Sequence, residues 1–399
     1  LSILKHKLFI VLPILVLAII FVFSLTMIPS INPTPKNLPI AIVNEDKGID
    51  VPQQGKMNMG DLIAKNIQTM SSFKSGTDSS VKWISVESNA KVQEGLNRQD
   101  YYAALVIPSD FSTKQASLRT ANPVSPNIQL YVNQGMNALA SNMAAQILNQ
   151  VIESVNNKIR TDLLTAIDQK GGTLTTKQAA AIASPIVKQV TNVNAIGTHS
   201  ASGNAPVSLF QPLWMGSIVG GIVFLFIKRK FVLMTRKEKL QANLLQFIWG
   251  VVLSLVAGYS FTWFADLWGL NIQHFNDTAL FLSISYLSFF LMISAVLSWI
   301  GLAGMAIFML FLFFGTPLLT TAPELLSTFY QDWILTWLPM NFMVKGLREI
   351  FFFGHGLSLN HATIVLIWIG VVSFIVLMAS SFKRNAKSEL LVEMHSLDS

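Results

Sequence analysis

The 399-residue chain has no cysteine and few charges, with Asp, Glu, Lys and Arg making up 12%. The first absence excludes disulfides, thiol nucleophiles and cysteine metal sites, and leaves any domain outside a membrane stabilised by its core alone. The second excludes an ordinary soluble protein, in which about 25% of residues are charged. No G-x-x-x-x-G-K-[ST] phosphate loop and no G-x-S-x-G nucleophile motif occurs, so the chain is not itself a P-loop ATPase and does not resemble an α/β-hydrolase. The six histidines are scattered, and the closest pair, His355 and His361, has no carboxylate or further histidine at ligand spacing. No enzyme activity, cofactor or metal is expected.

What is present is apolar sequence. Hydrophobic residues make up 52% of the chain, and the mean hydropathy of +0.50 reads as a polytopic membrane protein. Six uncharged runs are long enough to span a bilayer: one at 8–28, one at 210–227, one at 244–265, two within 278–321 with a tight turn near 298–301, and one at 363–381. Between the first and second runs lie about 180 residues of soluble character.

The pI of 9.5 suggests nucleic acid until the charges are located. The long insert is nearly balanced, with 15 Lys and Arg against 12 Asp and Glu. Lys5 and Lys7, the loop carrying Lys228, Arg229, Lys230, Arg236, Lys237 and Lys239, and the C-terminal tail together hold 11 basic against 4 acidic residues. That surplus of seven equals the whole net charge, so it is a topology signal and no nucleic-acid partner is expected. Both termini are expected in the cytoplasm and residues 30–209 outside the cell. The basic loop is a candidate docking surface for a cytoplasmic protein, and its bland reading is attachment to anionic lipid.

Within the insert, 38–43, 81–86, 101–107 and 128–132 read as strands and 57–70 as a helix, which predicts an α/β head over about 36–133. From Leu139, apolar residues recur every fourth position through Ile167, the pattern of a long amphipathic helix. Gly171 and Gly172 break it, and Thr175 with Gln178 reads as the capping box of a returning helix kinked at Pro185. The second half of the insert, about 136–196, is therefore expected to be a helical hairpin. Gly216 and Gly220 form a GxxxG pair that reads as ordinary helix packing.

The fold class expected is thus a polytopic α-helical membrane protein. Residues 1–29 hold the cytoplasmic N-terminus and helix 1, 30–209 the extracellular domain, 210–382 helices 2–6, and 383–399 a cytoplasmic tail. None of the six spans contains Asp, Glu, His, Lys or Arg, so coupling to an ion gradient is disfavoured and uphill transport would need a separate source of energy.

Three patches carry a family resemblance. LPIAIVNEDKG at 38–48, MNMGDLI at 57–63 and YYAALVIPSDFS at 101–112 are similar to the insert of the YhgE/Pip family, the phage infection proteins of Gram-positive bacteria. WLPMNFMVKGLREI at 337–350 resembles the external segment after the fifth helix in the transmembrane subunits of type-2 ABC exporters, as does the overall order of spans. The resemblance implies a homodimeric permease that depends on a separate ATP-binding subunit and exports a lipid, peptide or amphiphilic compound. It implies Pro339, Gly346 and Arg348 as an external gate. The alternative is a cell-envelope receptor or scaffold, a phage receptor or secretion accessory, in which the membrane half anchors an insert that binds a phage or cell-wall ligand. Many family members carry a much longer insert, so a role depending on its reach does not transfer.

Overall fold

The computed structural model describes residues 17, 21, 34–51, 55–69, 74–75, 78–169, 171–231 and 235–383. The expected first span, Lys5, Lys7 and the tail after Lys383 fall outside these, apart from two isolated positions. The chain divides into an α/β unit, Pro33–Ile196 together with Thr321–Ser327, and a helical unit formed by the remainder.

The α/β unit is built on a five-stranded sheet of order β6-β1-β7-β8-β9, comprising β1 (Leu38–Asn44), β6 (Val81–Ser85), β7 (Ala103–Ile107), β8 (Asn127–Asn133) and β9 (Val187–Val193). Two short hairpins, β2 (Ile49–Val51) with β3 (Gly55–Met57) and β4 (Lys74–Ser75) with β5 (Asp78–Ser79), precede β6. Strand β1 runs parallel to both β6 and β7, whereas β8 is antiparallel to β7 and parallel to β9. The helices between the strands are α1 (Met59–Thr69), α2 (Asn89–Asn97), α3 (Phe111–Ser117), α4 (Ala138–Asp168) and α5 (Thr176–Ala183).

Strand alternation sorts the side chains onto two faces. Leu38, Ile40 and Ile42 of β1 and Leu105 and Ile107 of β7 join a large core with Ile63 and Ile67 of α1, Phe111 of α3 and the apolar stripe of α4. Ala41 and Val43 of β1 and Ala104 and Val106 of β7 point the other way, onto Val92 and Leu96 of α2. Burial on both faces explains why β7 reads as an unbroken apolar run.

The expected strands and the helix over 57–70 are present with small shifts at their ends. The expected helical hairpin is corrected. Helix α4 is 31 residues long, about 46 Å at 1.5 Å per residue. Its buried stripe runs Ala140, Ala144, Leu148, Val151, Val155, Ile159 and Leu163, while Leu139 is exposed. A strict four-residue repeat rotates about 40° per step around the axis, so its N-terminal members leave the contact face. The Thr175–Gln178 capping box is formed, yet α5 lasts only eight residues. Beyond Pro185 the chain becomes β9, an exposed edge strand paired with β8. Val187, Val190 and Val193 favour strand, but polar neighbours on both faces hid the two-residue period. Asn156 of α4 fastens this return, since its Oδ1 accepts the Ile186 N–H at 2.7 Å and its Nδ2 donates to the Ile186 carbonyl at 3.2 Å.

The helical unit contains α6 (Phe210–Lys230), α7 (Arg236–Leu267), α8 (Phe275–Ile300), α9 (Met305–Thr320), α10 (Pro339–Phe352) and α11 (His361–Ala379). Among the described residues, four stretches are long and apolar enough to cross a membrane, one of them the 46 residues Phe275–Thr320. That stretch is divided at Gly301, whose φ of +67° ends α8 and starts the 3-10 turn into α9. The chain is thus a multi-pass membrane protein.

Helix α8 is central, buried against α6, α7 and α11. Small residues let its neighbours close in. A Cβ on Gly258 of α7 would fall on the Ser283 hydroxyl, and Gly216 and Gly220 of α6 face Tyr286, whose hydroxyl donates to the Gly216 carbonyl at 3.2 Å. The GxxxG pair therefore serves packing within the chain.

Candidate functional site

The three sequence patches at 38–48, 57–63 and 101–112 come together at one buried carboxylate. Asp46 is 8% exposed and lies just beyond β1. Its Oδ1 accepts N–H groups from Gly48 at 3.3 Å and Ser112 at 3.0 Å, and its Oδ2 accepts the Gly60 N–H at 3.1 Å and the Ser112 hydroxyl. Asn58 Nδ2 donates to the Asp46 carbonyl at 2.7 Å, and Asn44 Oδ1 accepts the Asp46 N–H at 3.1 Å. The Asp46 carboxylate thus ties the first turn of α1 to that of α3 through charge-assisted hydrogen bonds. Gly60 has no room for a side chain, because a Cβ there would fall on Asn44 Oδ1 and lie 2.7 Å from the Asp46 Cβ.

Asp46 lies in the 38–48 patch, but no catalytic, binding or metal-ligating role was expected of it, and its part as a hub was missed. The available signal was the spacing of Asn44, Asp46 and Gly48, which gives two successive turns in which a side-chain oxygen accepts the N–H two residues on.

Next to this knot, α1, α3 and α4 enclose a cavity of about 820 Å³ wholly within the α/β unit. Its floor is apolar, formed by Ile63, Val155, Ile159 and Leu163. Its rim carries Arg119, Lys158 and Asp162. No sequence motif announced it, because the lining comes from three helices, the β2–β3 hairpin and Arg119 just beyond α3, segments far apart in the chain.

Residues Thr321–Ser327 belong to the α/β unit although the chain on either side belongs to the helical unit. Ala322 and Leu325 lie in the large core. The Lys36 N–H donates to the Glu324 carbonyl at 2.8 Å, and the Tyr102 hydroxyl donates to Glu324 Oε2 at 2.8 Å. The α/β unit is therefore joined to the rest of the chain by this second segment as well as at its own two ends.

The expected gate residues all fall on α10. Pro339 occupies its first turn, where a missing N–H costs nothing. Gly346 packs on the Phe281 ring of α8, and Arg348 is 6% exposed. The expected docking residues fall at the end of α6 and the start of α7, on either side of residues outside the described set. Arg229, Lys230, Arg236 and Lys237 are exposed. Two others are engaged inside the unit: the Lys228 ammonium donates to Asn243 Oδ1, and Lys239 donates to the Lys383 carbonyl at 2.9 Å. Asn243 Nδ2 in turn donates to the Leu377 carbonyl, and Lys383 donates to the Trp299 carbonyl. These contacts gather the ends of α6, α8 and α11 and the start of α7 at one end of the helical unit, as the alternating direction of the spans requires.

The family described as a protein of unknown function, DUF3533, matches residues 8–374. The chain belongs to that family. This DUF3533 chain is also similar to the uncharacterized protein YhgE of Bacillus subtilis (strain 168), 25% identical over 127 residues. The match takes in 32% of the chain and spans 15% of the length of that relative. The resemblance drawn from the three patches is borne out at that level. Among solved structures, a domain described as from an ABC type-2 transporter of Thermotoga maritima aligns over 39% of this DUF3533 chain and 86% of its own length, with 18% identity and a TM-score of 0.27.

Proposed function

We propose that the chain is the membrane permease subunit of a type-2 ABC exporter-like system, a homodimer that depends on a separate ATPase and exports a lipid, peptide or amphiphilic compound. The observation that carries this reading is a contrast within the helical unit. Positions 211–227, 240–265, 278–320 and 362–382 contain no Asp, Glu, His, Lys or Arg, which leaves no side chain to bind or relay a driving proton. Four exposed cations, Arg229, Lys230, Arg236 and Lys237, lie at the end where the spans meet. In this reading that end is cytoplasmic by the excess of positive charge, residues 8–28 supply the first of six spans, and the α/β unit is extracellular. Pro339, Gly346 and Arg348 form the external gate.

The cavity in the α/β unit favours a second reading, an envelope receptor or scaffold whose helices only anchor it. Replacing residues 210–320 and 328–382 with unrelated membrane helices, while keeping 321–327 because Ala322 and Leu325 belong to the α/β core, separates the two. The permease reading predicts complete loss of the cellular phenotype with normal surface display, and retained activity supports the receptor.

A further inference from the structure

The cavity between α1, α3 and α4 is lined as an amphiphile site. Its volume of about 820 Å³ falls within the range of roughly 300–1,000 Å³ typical of small-molecule sites. Ile63, Val155, Ile159 and Leu163, each no more than 9% exposed, give it an apolar floor to which a hydrocarbon chain can be transferred from water. Met57 and Met59 also line it, and unbranched thioethers adapt to ligands of varied shape.

The polar part is uneven. Arg119 and Lys158 stand against the single acid Asp162, and among the described residues none of the three forms an ion pair. By contrast, Lys114 of α3, five residues before Arg119, is paired with Asp110, and Lys188 pairs with Glu153 of α4. The lining therefore has an excess of one positive charge whose natural complement is an anion. A second observation lies at the same wall: Gln115 lines the cavity, and its buried Oε1 has no hydrogen-bond partner. Buried polar atoms are nearly always paired, and a terminal amide can turn to offer either its oxygen or its NH₂ to a headgroup.

We propose that this cavity binds an amphiphile with one apolar chain and an anionic headgroup, the chain lying on Ile63, Val155, Ile159 and Leu163 and the headgroup held by Arg119, Lys158 and Gln115. The Asp46 knot fixes the first turns of α1 and α3 and so sets the width of the site. The proposal goes beyond the permease reading and stands whether or not the chain transports anything.

The test is a titration of the full chain, without any ATPase, in nanodiscs of zwitterionic phosphatidylcholine with 11-(dansylamino)undecanoic acid as fluorescent probe. Saturable binding above that of empty nanodiscs is expected. The double variant R119E/K158E, altered only at exposed positions, should weaken it at least tenfold, as should exchanging the probe's carboxylate for a trimethylammonium group. Ile159→Trp, which fills the floor, should abolish it. No saturable signal from the natural chain, or equal affinity in R119E/K158E, or equal affinity for the cationic probe, overturns the proposal. Because no energy source enters the assay, failure here is distinct from failure to find an ATPase.

Discussion

Asp46→Ala is expected to loosen the α/β unit by about 3 kcal/mol or more, since each buried donor left unpaired costs roughly 1–3 kcal/mol. The donors are the N–H groups of Gly48, Gly60 and Ser112 and the Ser112 hydroxyl, all of which lose their acceptor at once. In hydrogen exchange on the full chain, the Gly60 and Ser112 amides should exchange at least about a hundredfold faster, given that 1.4 kcal/mol corresponds to about a factor of ten. Asp46→Asn should recover only part of the loss, because it replaces one accepting oxygen with a donor facing other donors. A change below tenfold in Asp46→Ala would mean that the three patches are held together by packing alone. The same variant should also weaken probe binding in the adjacent cavity.

The second large effect is expected at Leu325. It is 5% exposed and lies in the same core as Leu38, Ile40 and Leu105, although its chain neighbours beyond 321–327 belong to the helical unit. Leu325→Asp places a carboxylate in an apolar core with no cation shown to receive it, a change in the class that costs about 4 kcal/mol or more when the site cannot rearrange. The segment can leave instead, giving up its hydrogen bonds to Lys36 and Tyr102. The expected result is a sharp rise in proteolysis within 321–327, by about a hundredfold, while β1 and β7 keep their protection. Leu325→Met, which conserves volume, should cost under about 1.5 kcal/mol and leave the cleavage pattern unchanged. In the permease reading this segment links the head to the chain that runs into the gate helix α10, so Leu325→Asp should also stop export.

The parts legible in the sequence were those whose signal is local. Uncharged runs marked the four candidate membrane-crossing stretches from 205 onward among the described residues, and apolar blocks at 38–43, 101–107 and 128–132 gave the central strands, because burial on one or both faces leaves a pattern within a few residues. The capping box at Thr175 was legible for the same reason. Strand β9 was not, since an edge strand exposed on both faces carries no hydrophobic alternation, and the helical signal of α5 just before it invited extension. The drift of the α4 stripe was missed because a four-residue repeat and a helical face coincide only over two or three turns. The candidate site was the least legible. Asp46, Gly60 and Ser112 are brought together by the sheet topology, and the burial of Leu325 depends on a contact with residues far away in sequence. The three patches that carried the family resemblance did mark the place, although nothing in their letters showed that they meet.

The central claim, that the helical unit serves a separate ATPase, is tested most directly by copurification. Tagged full-length chain in mild detergent should recover an ATP-binding protein, and the double variant R236E/K237E, which keeps Lys228, Arg229 and Lys230 to hold the orientation of the spans, should recover at least several-fold less of it at equal membrane insertion. Recovery of no ATPase by the natural chain, together with an unchanged phenotype when candidate ATPases are deleted, would contradict the account.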